Sequence, residues 1–319
     1  MIRASIGKSS LRNEDTQLKP QFSTQTQIAD ESLYVFTCKV RNTTAVANSE
    51  VFCMSDSISD DELYGLLNRI RSERLPSSET IVGEAAEELG LVQGAFTANQ
   101  VLSNFNNNLR QLFERTLTVL ERYEQQVYSG AVMPAIADRR RQTLEGLRAG
   151  NNVELISSAL QALYPDLWRV FLSRSQSRKQ RGGGDFQEQI KLMFQLANIP
   201  FEEQTREYRT DFVIPSQALF QRDRTRAIIF SVKRTLRERW QEVVDELHHT
   251  NCPNVYLATA NESRKITLTT HIAGLRRYNM HLVVWDTVKA EKFPTEPVVR
   301  NYTEFATIDV RTFQPFWNP

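Results

Sequence analysis

The chain has 319 residues, 40% of them hydrophobic, with 39 Lys+Arg against 38 Asp+Glu. That length and apolar content suit one large domain or two modest ones and exclude wholesale disorder. A net charge of +1 speaks weakly against a nucleic-acid coat protein but leaves local patches open. Nothing approaches the ~18 consecutive apolar residues of a membrane span, so no membrane partner is expected. The N-terminus, MIRASIGKSSLRNEDTQLKPQFSTQTQ, has no apolar stretch of signal-peptide type. Cys38, Cys53 and Cys252 are few, odd in number and lack metal spacing, which points to small buried side chains in a reducing compartment. A soluble, cytoplasmic protein is the expectation.

Residues 1–28 read as a flexible or draped arm. SLYVFTCKV (32–40) has the β-branched and aromatic content of a strand. The character then turns helical. SISDDELYGLLNRIRSER (57–74) spaces Leu63, Leu66, Leu67 and Ile70 as a helix does, and SETIVGEAAEELG ends on a glycine stop. Residues 97–127 form a long amphipathic pattern, and helix is expected to continue through NVELISSALQALYPDLWRVFLSR. No repeat of fixed period is present. Residues 29–172 are therefore expected to be a mainly helical region.

The pattern changes near residue 174. SRSQSRKQRGGG (173–184) is basic and glycine-rich, and the helix DFQEQIKLMFQLANI (185–199) is expected to start after it. Arg178, Lys179 and Arg181 would then precede a helix N-terminus, a place suited to anions, with a solvated linker as the plainer alternative. Strands follow at 208–216 and 226–234, a helix at 238–250, a strand at 254–261, a helix near 268–278 and a strand at 280–286. This is an α/β layout, a sheet flanked by helices, over 173–319.

Three charged residues sit where apolar ones would be cheaper. Asp211 lies inside the strand TDFVI, Lys233 ends the apolar run AIIFSV, and Glu246 lies on the helix that follows. Such groups are costly to bury unless paired or holding a metal. Two carboxylates can share a hard cation such as Mg²⁺, and a lysine beside it can orient a water: these are parts of a metal-assisted phosphodiester hydrolase. A plain salt bridge between Asp211 and Lys233 is the competing reading. Between Arg222 and Arg239, seven Lys/Arg stand against two acids, a basic strip of the kind a phosphate backbone requires.

Helix phase adds to this. Trp240, Val243, Val244 and Leu247 form a packed face. Arg239 and Glu246 share another face, about two turns (~10.5 Å) apart, with Glu242 as the rival carboxylate. On the earlier helix, Phe186, Ile190, Met193 and Ala197 form one apolar face. Glu188 points the other way beside Leu192 and Ile199, so it faces either an enclosed site or solvent at the first helical turn.

These residues, Asp211, Lys233, Arg237-Glu238-Arg239 and Glu246, resemble the PD-(D/E)XK restriction endonucleases. Within them they are similar to the branch that cuts CCGG, CCNGG and CCWGG sites, including the SsoII, PspGI and EcoRII enzymes. In that branch the second carboxylate has migrated from the strand to the following helix. Here Ser231 stands at the strand position and Glu246 at the migrated one, and Thr210 stands in place of the name-giving proline. The stretch SRKQRGGGDFQEQI resembles the arginine- and glycine-rich lead-in to the family's first core helix, with Glu188 as its acid.

The resemblance covers roughly residues 173–286. It implies a nuclease core, Mg²⁺ held by Asp211, Glu246 and the Val232 carbonyl, and Lys233 orienting the attacking water. It implies phosphate contacts from Arg178, Lys179 and Arg181, and base reading by Arg237, Glu238 and Arg239. An arginine fork suits guanine O6 and N7, and a glutamate accepts from cytosine N4. The expected substrate is palindromic double-stranded DNA with a CCGG or interrupted CC-N-GG core, cut to leave 5′ overhangs. A symmetric homodimer without a nucleotide cofactor is expected, the helical region helping to form the dimer and reading outer bases. Other PD-(D/E)XK nucleases and an inactive DNA-binding protein are the rival readings. If a central base is extruded, Tyr34, Phe36 and Trp168 are the aromatic candidates to stack on it.

Overall fold

The computed structural model describes residues 60–141, 144–145, 153–205, 210–236, 244, 247–262 and 268–317. The expected strand at 32–40, Tyr34 and Phe36 lie outside them. No helix among the described residues is long and apolar enough to cross a membrane.

The helical region opens with α1 (Asp60–Arg74) and α2 (Ser78–Glu88). The Ser77 hydroxyl accepts from the Thr80 N–H and caps α2. α3 (Ala98–Ser103) starts on a capping box between Thr97 and Gln100. α4 (Phe105–Val127) follows at once, so the single helix expected over 97–127 is two, broken at Asn104. A π-helical turn leads into α5 (Met133–Arg139). Then comes α6 (Val153–Leu196), 44 residues long.

Helix α6 corrects the sequence reading. No helix begins at 185; the stretch RGGG lies inside α6, and so do Arg178, Lys179 and Arg181. Glycine in a helix interior costs roughly 0.8–1 kcal/mol relative to alanine, and Pro165 removes a backbone donor as well. Local propensity therefore argued for a break, and tertiary packing overrode it. Phe186, Ile190, Met193, Phe194 and Ala197 are buried as the apolar pattern requires. Asn198, with φ of 51°, ends the helix in the left-handed conformation.

The sheet has six strands in chain order: β1 (Glu202–Thr205), β2 (Thr210–Ile214), β3 (Ile228–Val232), β4 (Val255–Ala258), β5 (Met280–Val284) and β6 (Val299–Asn301). β1, β2 and β3 pair antiparallel, whereas β3 to β6 pair parallel. The four expected strands are present. β1 and β6, of four and three residues, are additions that short polar segments did not signal. α7 (Gln217–Arg222) joins β2 to β3, α8 (Leu268–Arg277) precedes β5, and α9 (Asp286–Lys292) separates β5 from β6.

One core joins the two halves of the chain. Phe194 of α6 meets Phe105 of α4, Phe212 of β2, Phe230 of β3 and Phe305 near the C-terminus, at ring separations of 5.2–6.3 Å. A smaller cluster packs Leu63, Leu67 and Ile70 of α1 against Val127, Val132, Ile136 and Val170.

His281 of β5 stacks on Tyr256 of β4 at 4.9 Å, and burial, with Arg300 adding, pushes its imidazole down from 6.5 to about 4. The unfolded chain takes up this proton first as pH falls. Stability is therefore lost between pH 6.5 and about 4. The thermal midpoint is expected to drop between pH 7 and pH 5, and His281→Phe to flatten that drop; an unchanged slope in the variant would remove His281 as its source.

Candidate active site

The β2–β3 register sets the site. Phe212 pairs with Phe230, and one step beyond that pair the Asp211 carboxylate takes over the contact between strands. Its Oδ2 accepts from the Val232 N–H at 2.7 Å and from the Ser231 hydroxyl at 3.0 Å. Among the described residues no donor is paired with the other oxygen, Oδ1. The Lys233 N–H donates to the Ala258 carbonyl at 2.9 Å, so parallel pairing continues one residue past β3. The chain after Lys233 is then fastened to the segment after β4. The Arg234 carbonyl accepts from the Ala260 N–H and the Thr259 hydroxyl, both at 3.2 Å. Asn261 Nδ2 donates to the Leu236 carbonyl at 3.4 Å. Sequence reading missed Thr259 and Asn261, whose small polar side chains carry no distinctive spacing, and the role of Ser231 as a donor to Asp211.

Asp211, Val232 and Lys233 line one cleft of about 890 Å³. One wall is the strand ends; the other is a face of α6 at helical spacing, from Phe171 through Arg174, Arg178 and Lys179 to Gln187. Five Lys/Arg line it against two acids, Asp211 and Glu262, which makes it a place for an anion.

Arg174 and Arg178 of α6 are held by an acid that no sequence pattern singles out. Glu124 of α4 is buried, 3% exposed. It accepts from Arg174 Nε and Nη2 at 2.9 and 2.7 Å and from Arg178 Nε at 2.8 Å. The hydrogen bond to Glu124 raises the Arg178 guanidinium above its ordinary value despite burial. Arg181 is engaged elsewhere: Nη2 donates to the Pro76 carbonyl at 2.5 Å and Nε lies 3.3 Å from Asp185 Oδ1. It is not among the residues lining the cleft.

Glu188 belongs to a neighbouring group. Lys191 Nζ lies 3.7 Å from Glu188 Oε2 and 2.7 Å from Glu203 Oε1. Burial pushes the Glu188 carboxyl up, and Lys191 opposes it. The cleft is lined one position earlier, by Gln187. Trp168 is half exposed and stacks on Tyr164 at 6.3 Å. On the following segment Val244 and Leu247 are buried as expected. Arg237, Glu238, Arg239, Trp240, Glu242, Val243 and Glu246 lie outside the described residues.

Residues 153–303 match the family model described as EcoRII C terminal. The type II restriction enzyme SsoII of Shigella sonnei is 32% identical over 112 residues, 31% of this chain; the match spans 37% of that enzyme's length. Two solved structures share the fold. Metal-depleted Ecl18kI in complex with uncleaved, modified DNA has a TM-score of 0.70 and 21% identity, covering 82% of this chain and 87% of its own. The PspGI–substrate DNA complex has a TM-score of 0.50 and 20% identity, covering 76% and 94%. The resemblance to the SsoII, PspGI and EcoRII group therefore stands, and the fold is that of the PD-(D/E)XK restriction endonucleases.

Ser231 is a donor next to Asp211, and an acid there would set two carboxylates about 3 Å apart. Ser231→Asp is expected to lower stability in chelator-treated buffer at neutral pH by about 1–3 kcal/mol more than Ser231→Ala. The raised pKa of such a pair makes that loss shrink as pH falls. Urea denaturation at two pH values checks both the size and the trend.

Proposed function

We infer that this chain is a type II restriction endonuclease that cleaves palindromic double-stranded DNA with a CCGG or interrupted CC-N-GG core, leaving 5′ overhangs. The observation that carries this reading is the meeting of Asp211 and Lys233 in one basic cleft at the ends of adjacent strands. The resemblance around Lys233 and the DNA in the Ecl18kI and PspGI structures support it. A homodimer in which each subunit reads half the palindrome is the matching assembly. The expected setting is the cytoplasm of a prokaryotic cell, and no nucleotide cofactor takes part.

The donors fit a hard divalent cation. Asp211 keeps Oδ1 for a ligand while Oδ2 is fixed by two donors. The Val232 carbonyl and Glu246, or its rival Glu242, would complete an all-oxygen set suited to Mg²⁺. Bound there, Mg²⁺ would neutralise charge on the scissile phosphate and lower the pKa of water. Lys233 orients the attacking water; the water oxygen bonds to phosphorus as the P–O3′ bond breaks, leaving a 3′-hydroxyl and a 5′-phosphate. Arg178 and Lys179 border the path of the backbone. Arg181, engaged by Asp185 and Pro76, is the weaker candidate for a phosphate contact. Glu188 is a candidate to act through its ion-pair group beside β1. Arg237, Glu238 and Arg239 are the proposed readers of C:G pairs.

A plasmid digest with Mg²⁺ tests the reading: discrete fragments are expected, whereas a smear would mean a non-specific nuclease and no cutting a binding protein. Asp211→Ala and Lys233→Ala should each abolish cutting while specific binding persists; near wild-type cutting by Lys233→Ala would displace it from the site. Of Glu246→Ala and Glu242→Ala, only the true ligand should cost orders of magnitude in rate.

Base reading has its own signature. Loss of Arg237 or Arg239 should cost ~1–3 kcal/mol of discrimination between C:G-rich palindromes and random DNA. Glu238→Ala should weaken cognate binding although it removes a negative charge. A gel shift in which it binds cognate and random DNA equally more tightly would leave these residues as a plain phosphate patch.

A further inference from the structure

The three consecutive glycines of α6 do not meet the same surroundings. A Cβ at Gly183 would have open space, and one at Gly184 would make ordinary contact with Ser78 Oγ at 3.5 Å. At Gly182 it would overlap Arg234 Nη1 outright and lie 2.9 Å from Cζ and 3.0 Å from Cδ. Gly182 is therefore a notch in the helix, and the guanidinium of Arg234 fills it. The same guanidinium lies over the Phe113 ring of α4, 5.5 Å from its centroid. Arg234 directly follows Lys233, and both line the cleft.

The other arginines of the cleft spend their N–H groups on an acid. Arg174 and Arg178 both donate to Glu124. Arg234 is oriented by shape and an aromatic face instead. Asp185 acts on it through its charge and is itself ion-paired with Arg181. Among the described residues no carboxylate hydrogen-bonds Arg234. An arginine has five N–H donors in a planar fork that matches phosphate oxygens. A fork fixed in direction, beside Lys233 and not consumed by an acid, is an anion seat.

We propose that Arg234, held in the notch of Gly182 and against Phe113, binds a DNA backbone phosphate in the cleft and thereby places the strand over Lys233. This rests on DNA being the ligand of the cleft. Arg234 is a positioning residue: its contact is to the backbone, so it grips all sequences alike.

Gly182→Ala is the informative substitution. Alanine is the better helix former, and the atoms it displaces are the far end of a flexible side chain, so folding is preserved while the seat is lost. Binding of labelled cognate and random duplexes would be measured without divalent metal, across a salt series, beside thermal melts. Gly182→Ala and Arg234→Met should each weaken both duplexes about tenfold and lower the salt slope by about 1. Gly184→Ala, with the same gain in helix propensity and nothing displaced, should bind as wild type. Gly182→Ala should melt no lower than wild type, so it decides the matter even where Arg234→Met folds poorly. Wild-type affinity and salt slope in Gly182→Ala would overturn the proposal. A wild-type protein that binds neither duplex would overturn the nuclease reading, and this proposal with it.

Discussion

The Asp211 carboxylate, fixed across the β2–β3 pair, is the constraint on which the rest of the site depends. Side chains alternate along a strand, so a slip of one residue would send both Asp211 and Lys233 to the wrong face. That register is secured by the core: Phe212 and Phe230 pair across the strands, and both pack against Phe194 of α6. The same aromatic cluster reaches Phe105 of α4 and Phe305 near the C-terminus. Strand register, helix placement and the position of the polar pair thus follow from one packing arrangement.

The cleft must concentrate positive charge without pushing the protein apart. Glu124 answers part of this from beneath. Buried on α4, it pairs with both Arg174 and Arg178 and fixes their guanidinium groups on the wall formed by α6. A buried acid with two arginines is costly to desolvate and is tolerated only when its lone pairs are taken up, as they are here. Arg234 is treated differently: burial depresses its guanidinium below its ordinary value, with Asp185 opposing that and Arg178 adding to it. The two devices make the cleft electrostatically uneven, partly offset at Arg174 and Arg178 and open to an anion at Arg234.

Much of this was legible in the sequence, and the failures share a cause. β2 to β5 were readable because they are short apolar runs bounded by turn signals. Lys233 and Asp211 stood out because a charge inside such a run is expensive. Helix α6 was misread where RGGG sits, since glycine propensity is local information and the Gly182 notch exists only because Arg234, 52 positions later, arrives there. Glu124 was invisible for the same reason. On α4 it is one acid among several, and its burial depends on a partner helix that brings Arg174 and Arg178 against it. Ser231 was recorded as a departure from an acidic position, but its role as a donor to Asp211 needed the strand pairing.

Ser231 also explains why a second carboxylate would have to come from outside the strand. The strand position beside Asp211 is within hydrogen-bond distance of Oδ2 and is filled by a hydroxyl that donates to it. An acid there would set a second carboxylate against Asp211 at a buried position that is 2% exposed. The serine thus helps hold the Asp211 carboxylate in one orientation. In the proposed mechanism the second acid comes from the segment bearing Glu242 and Glu246, which also bears the proposed base-reading residues. In that mechanism, placing both on one segment would couple completion of the metal site to the docking of a cognate base pair, a physical basis for cutting only where the sequence has been read.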